Sequence, residues 1–230
     1  MVDWQYTKLA MFRLITIERE YGCGGAPIAA QLADHLGWKL WDHRLTEEIA
    51  RLANVDPSAV RRCDERMDSR FYRLAKTFWR GSYERSSPLG DQIFDTDRMM
   101  SMMEQITQQI AEEGNAVVVG RGTPFFLRNR ADAFHVFLYA PRAEKIRRLG
   151  EEGHMIEEAE ELVEIVDRER IAFIKHYFNA DWPTRSLYHL MLNTAVGNEA
   201  VIETILNTMH LVEGQPKATD FEPPAIPTHR

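Results

Sequence analysis

Two cysteines, Cys23 and Cys63, are all that the 230 residues contain. Two thiols make neither a disulfide framework nor a four-ligand zinc site, and a reducing cytoplasm is the expected compartment. No run approaches the roughly 18 apolar residues of a membrane span, and the opening stretch, MVDWQYTKLAMFRL, is too polar for a secretory signal. Positive charge is also in short supply: 28 Lys and Arg stand against 35 Asp and Glu, a formal net charge of -7. That balance disfavours a long nucleic acid or an anionic membrane as partner, as does the lack of an aromatic–basic platform. No internal repeat is evident, and no metal-ligand cluster is expected. The segment 213–230, with Pro216, Pro223, Pro224 and Pro227, reads as a disordered tail, and 1–12 as a loose arm.

What is present is a series of short apolar runs separated by helical patterns. FRLITI (12–17), WKLW (38–41), AVVVG (116–120), FHVFLYAP (134–141) and LYHLML (187–192) read as strands. Ile28, Ala29, Leu32, Ala33 and Leu36 share one helical face, with Gly37 as the stop. Met99, Met102, Met103, Ile106 and Ile110 line a second helix ending at Gly114; it packs internally or against a second subunit, so a homodimer stays open. A long helix is expected over about 155–178 and a last one from Asn198 to His210. Asp56-Pro57 marks a helix start and GSYERSSPLGD (81–91) a loop. Five apolar strands alternating with helices predict an α/β, three-layer fold with a five-stranded parallel sheet. Ligands then bind beyond the carboxyl ends of the strands, just after Ile17, Trp41, Gly120 and Ala140.

The stretch ITIEREYGCGGAPI (15–28) stands at the first of those places. A strand, a glycine cluster and a helix start together form a phosphate cradle, because glycines let backbone N–H groups turn to one point and the helix N-terminus adds partial positive charge. Yet the pattern GxxxxGK[ST] is absent. With Arg19 at its first glycine, Gly25 falls at the lysine, and the Ser/Thr hydroxyl is missing too. Two readings remain at this point: a tight turn with no ligand, or a loop whose lost cation is replaced by Arg19, a forked donor suited to phosphate. Cys23 sits at the helix N-terminus, where a thiol pKa is often lowered, so a redox role stands beside that of a small packed residue.

The blocks ITIEREYGCGG (15–25), LGWKLWDHRL (36–45), VVVGRGTPFFLRNR (117–130), VFLYAPRAEKIRRL (136–149), DRERIAFIKHYFNADW (167–182) and LYHLMLNT (187–194) resemble, in order and spacing, the cytidylate kinase-like family. The resemblance covers about 13–210. It implies a P-loop NTPase-like kinase domain over 13–212, with a helical acceptor-binding insert at 42–115 and a lid at about 155–186. It also implies ATP or another NTP with Mg²⁺, and a small acceptor such as a nucleoside monophosphate. On it, the loop residues Arg19, Tyr21, Gly22, Cys23, Gly24, Gly25 and Ala26 hold the nucleotide phosphates. The family loop reads close to ITISREYGSGGREI, so Cys23 and Ala26 depart from it. True cytidylate kinases carry a block like DGRDMGT after the third strand; here Gly120 and Arg121 remain, and Val119 and Gly122 replace its aspartates.

Phosphoryl transfer asks mainly for positioning and positive charge. Arg19, Arg121, Arg168, Arg170 and Lys175 are the candidate catalytic cations. Arg168 and Arg170 lie two apart on a helix and do not share a face, so at most one meets a phosphate; the other reading of each lid cation is an exposed ion pair with Glu164 or Glu169. Asp42, Arg44, Gly120, Arg121 and Asp167 are the candidate acceptor-binding residues, Asp42 being equally a helix cap. The basic run Arg142, Lys145, Arg147 and Arg148 reads as a solvated face. The sequence thus supports an ATP-dependent phosphotransferase. Its alternative is an inactive pseudokinase, a nucleotide-sensing or protein-interaction module, on the strength of the missing loop lysine, hydroxyl and aspartates.

Overall fold

A computed structural model of the chain describes residues 12–42 and 96–213. The elements in chain order are β1 (Leu14–Arg19), α1 (Gly25–Leu36), β2 (Lys39–Trp41), α2 (Thr96–Glu113), β3 (Ala116–Val119), α3 (Thr123–Phe126), β4 (Ala133–Tyr139), α4 (Arg142–Glu151), α5 (Ile156–Phe178), β5 (Leu190–Asn193) and α6 (Asn198–Glu213), with 3₁₀ turns at Arg185–Leu187 and Thr194–Val196. Residues 1–11 of the arm, most of the insert with Arg44 and the Asp56-Pro57 helix start, the 81–91 loop and the tail from residue 214 lie outside the described residues; Phe12, assigned to the arm, is instead buried in the core, and Glu213 ends the last helix.

Every strand pair is parallel, and the order is β2-β3-β1-β4-β5. The pleat sends alternate residues to opposite faces. Ile15, Ile17, Val117, Val119, Phe134, Val136 and Leu138 face α1 and α6, meeting Ile28, Leu32, Val201 and Ile205 in one core. Leu14, Ala116, Val118 and Ala133 face α2, where Met103, Ile106 and Ile110 close a second core. A third joins Phe137 to Phe173 and Ile174 of α5 and to Trp182 and Tyr188. Helices therefore cover both faces, as a near-continuous apolar parallel sheet requires. This is the expected three-layer α/β, P-loop NTPase-like arrangement.

Some boundaries move. The fifth strand begins at Leu190, because Leu187 closes a 3₁₀ turn and Tyr188 is drawn into the Phe137 cluster instead of the ladder. Helix α1 starts two residues before Pro27, at Gly25, after a left-handed Gly24. Met103 is fully enclosed within the chain, which gives the methionine stripe internal partners.

Candidate functional site

Glu18, Arg19, Asp42, Gly120, Arg121 and Arg170 line a depression at the carboxyl ends of β1, β2 and β3, walled by Val119, Phe173, Ile174 and Trp182. Arg19 closes β1, and its Nη2 stands 3.7 Å from Asp42 Oδ2, just past β2. Arg170, from α5, donates through Nη1 to the Arg19 carbonyl oxygen at 2.7 Å and to Asp167 Oδ1 at 3.3 Å. Arg121 follows β3 and is 4% exposed. Burial pushes its guanidinium down to about 10, with Asp42 opposing the shift and Arg19 adding to it. Burial lowers Arg170 as well, against the pull of Asp167. Arg121 is still charged at neutral pH, and three forked donors from three elements converge at the mouth of the sheet. Such a cluster suits phosphate or carboxylate oxygens, and charge developing on them.

Glu18 lies in the floor of this depression at 4% exposure. Its Oε1 accepts from the Gly122 N–H at 2.9 Å and its Oε2 from Trp182 Nε1 at 3.4 Å. Burial raises its pKa; the nearby Arg170 and Arg19 charges and the two hydrogen bonds oppose that rise. Gly120, Arg121 and Gly122 have φ of 70°, 63° and 69°, consecutive left-handed residues of which the middle one carries a side chain. At Gly122 a Cβ would also stand 2.6 Å from the Phe178 ring.

The glycine loop runs beside the pocket. Gly22 and Gly24 are left-handed, and Gly24 caps α1 with no side-chain hydrogen bond to its first turn. A Cβ at Gly25 would fall 2.7 Å from Arg19 Cδ, so the arginine stem crosses the loop over the lysine position of the standard motif. The loop is pinned from both sides. Tyr21 N–H donates to Asp167 Oδ1 at 2.8 Å. The Cys23 carbonyl accepts from Arg148 Nη1 and from Thr194 Oγ1, the latter at 2.5 Å. Ala26 is exposed in the first turn of α1. The Cys23 side chain is buried in the sheet–α1 core, and burial raises its thiol pKa. Helix-terminal activation of this cysteine is therefore overturned: desolvation of the thiolate outweighs the nearby positive charge.

The basic run on α4 needs a correction too. Arg142 and Arg147 are exposed and paired with acidic neighbours. Lys145, however, is 6% exposed. Its Nζ lies 2.6 Å from Glu20 Oε2 and 3.0 Å from Asp167 Oδ2. Burial alone would lower its pKa, but these two carboxylates outweigh it and leave the ammonium raised. Arg148 reaches the loop and the 3₁₀ turn after β5, and donates to the Thr194 carbonyl at 3.0 Å.

Of the residues singled out in the sequence, Arg19, Asp42, Gly120, Arg121 and Arg170 share the depression, and Asp167 adjoins it through Arg170. Arg168 and Lys175 do not join them. The Arg168 side chain is 72% exposed, with its Nη2 3.9 Å from Glu164, and that of Lys175 is 59% exposed, 3.5 Å from Asp181. Glu18 and Trp182 were not singled out as site residues, and Lys145 and Arg148 were placed on a solvated face. One signal existed for Glu18: it replaces the Ser of ITISREYGSGG, a carboxylate inside an apolar strand. Among the described residues no group of three or more His, Cys, Asp or Glu is gathered as a metal site, and no helix is long and apolar enough to cross a membrane.

The family model described as cytidylate kinase-like matches residues 14–196. No protein of curated function matches the sequence. Among solved structures, an uncharacterised protein of Eubacterium ventriosum superposes with a TM-score of 0.62 at 17% identity, over 86% of this chain and 98% of that one. A shikimate kinase from Acinetobacter baumannii, in complex with shikimate, gives 0.49 at 14% identity, over 90% and 97%. A deoxyadenosine kinase from M. mycoides gives 0.42 at 14% identity, over 86% and 99%.

Proposed function

Since the chain belongs to the cytidylate kinase-like family, we propose that it transfers phosphate from ATP, or another nucleoside triphosphate, to a small acceptor such as a nucleoside monophosphate. The observation that carries this reading is the convergence of Arg19, Arg121 and Arg170 beside the glycine loop. Gly22 to Ala26 and the start of α1 receive the donor phosphates on backbone N–H groups. Arg19 supplies the cation that the loop's sequence lacks. Arg121 and Arg170 receive the charge of the phosphoryl group in transfer, where fixed donors lower the barrier without reorganising. Asp42, paired with Arg19, orients a hydroxyl or amine of the acceptor; Gly120 gives it close backbone approach, and Asp167 holds Arg170 in place. The loop has no hydroxyl for magnesium, so Mg²⁺ would be held mainly by the nucleotide's phosphates, where it would neutralise their charge, with Asp42 as a pocket carboxylate to meet it through water. Arg168 and Lys175, exposed here, reach the nucleotide only if the lid moves. The setting is cytoplasmic.

Calorimetric titration of the reduced protein with magnesium ATP tests the reading. Saturable binding in the micromolar to low millimolar range, weakened at least about tenfold in Arg19→Ala, is expected, since a charge-assisted bidentate contact is worth about 1.5–3 kcal/mol. A panel of nucleoside monophosphates and small hydroxylated anions then reports turnover. A folded protein that takes up no ATP at several times those concentrations sinks the kinase reading; binding without turnover across the panel favours a nucleotide-sensing role.

A further inference from the structure

Three left-handed residues in a row are costly when one of them is an arginine. A non-glycine residue with φ near +60° loses roughly 1–2 kcal/mol, and such strain persists only where surrounding contacts over-determine it. Arg121 adopts this conformation, with φ 63°, between two glycines that adopt it freely. Hydrogen bonds on either side of it hold the turn. Gly120 N–H donates to the Ile17 carbonyl at 2.8 Å, and Thr123 Oγ1 donates to the Gly120 carbonyl at 2.9 Å. Gly122 N–H donates to the Glu18 carboxylate at 2.9 Å. The first two fasten the start of the turn. The third fastens the N–H of the residue after Arg121, whose carbonyl accepts from Phe125 N–H at 2.9 Å in the turn of α3 that follows.

Glu18 is an unusual choice for this task. It sits near the end of a mostly apolar strand at 4% exposure, where a carboxylate is expensive. Its second oxygen is taken by Trp182, beyond the C-terminus of α5, and its neighbouring charges are Arg170 and Arg19. It thus touches, directly or electrostatically, the β1 end, the β3 turn, α5 and the segment after it, all of them parts of the depression.

We propose that Glu18 is a positioning residue of the phosphate site, one that holds the Gly120–Gly122 turn in its left-handed form so that Arg121 faces the pocket. This rests on the phosphotransfer reading above for its consequence, but not for its geometry. Without the carboxylate the turn relaxes toward right-handed conformations that cost Arg121 nothing, and the guanidinium leaves the cluster. A glutamine keeps an oxygen for Gly122 and so keeps the turn, while it removes the negative charge.

Two measurements separate the possibilities. Amide hydrogen exchange at Gly122 needs no ligand: it is expected to accelerate about tenfold or more in Glu18→Ala and Glu18→Ser, and to stay within about threefold of the parent in Glu18→Gln, as loss of one hydrogen bond to a charged group, worth about 1.5–3 kcal/mol, implies. Magnesium ATP affinity is then compared across Glu18→Ala, Arg121→Ala and the double variant. If Glu18 acts through Arg121, both single variants weaken binding and the double variant is no weaker than the worse of them; independent roles would multiply. Glu18→Gln is expected to recover most of the affinity. Gly122 protection unchanged in both Glu18→Ala and Glu18→Ser, or multiplying losses, overturns the proposal. No ATP binding by the parent protein sinks the phosphotransfer reading alone, and the exchange data still decide the brace. Should Glu18→Ala fail to fold, Glu18→Ser and Glu18→Gln carry both comparisons.

Discussion

A methyl group at position 25 would stand 2.7 Å from Arg19 Cδ and 3.3 Å from its Cβ, closer than carbon atoms pack. Gly25→Ala therefore forces the arginine stem off the loop. In the parent protein this overpacking is expected to cost about 1–3 kcal/mol in urea unfolding. With Arg19→Ala as background the 2.7 Å clash with Cδ is gone and only the tighter contact with Cβ remains, set against alanine's better helix propensity, worth up to about 1 kcal/mol, so the same substitution costs clearly less or turns neutral. A cost undiminished in the Arg19→Ala background would show that the Arg19 stem does not occupy that space. At this scale the site was half legible. Arg19, Asp42, Arg121 and Arg170 follow from being polar residues just past strand ends, or in the matched lid run, and the spacing of Arg168 from Arg170 already implied that one of them points away. Lys145 was misread because its partners, Glu20 and Asp167, lie far off in the chain; neighbouring residues say nothing of whether a basic run faces water or distant carboxylates.

Between elements, His135 of β4 is a buried titratable group to which the proposed phosphate transfer gives no role. Its Nδ1 lies 2.7 Å from Thr16 Oγ1 of β1, and it is 3% exposed. Burial pushes its pKa down to about 3, the charge of His189 adds to that, and a backbone hydrogen bond to Leu127 opposes it. The unfolded imidazole titrates near 6.5. Between these values the unfolded chain binds a proton that the folded one refuses, so stability rises with pH across that window and is lost as pH falls through it. From pH 7 to pH 5 the loss from this residue is about 2 kcal/mol. Glu18, raised by burial, works in the opposite sense: its contribution is fullest below 4.5 and declines as pH rises. The difference in pH slope between the parent and His135→Gln isolates the histidine, and equal slopes would refute this assignment. Strand existence and order were readable at this scale from apolar run and crossover pattern; strand ends were not. Tyr188 belongs by composition to the fifth strand, yet its ring packs on Phe137, 5.1 Å between centroids, which ends the turn rather than extending the ladder.

Over the whole molecule, the loop, α4 and α5 are joined by one ionic cluster, Glu20–Lys145–Asp167–Arg170, whose side chains are 25%, 8%, 17% and 13% exposed. Removing one partner from a buried pair leaves an uncompensated charge. Lys145→Met is expected to cost about 2–3 kcal/mol by urea unfolding, discounted for the partial exposure of its partners. Arg168→Ala and Lys175→Ala should each stay within about 0.5 kcal/mol of the parent, as surface pairs do. Comparable effects from all three would mean that the cluster contributes no more than a surface contact. The arrangement of layers was legible because five apolar runs alternate with helices. The cluster was not, because it exists only once three distant segments meet.

Strand β1 is the middle of the sheet, and its Leu14 pairs with Ala116 on one side and Ala133 on the other. Both partners leave the ribosome roughly a hundred residues later. At about 5–20 residues per second, the run ITI waits on the order of 5–20 s with both edges unpaired while the rest of the chain is made. The loop and its arginines therefore come into being late and together, and in the newborn chain that apolar stretch is the segment most in need of a holdase.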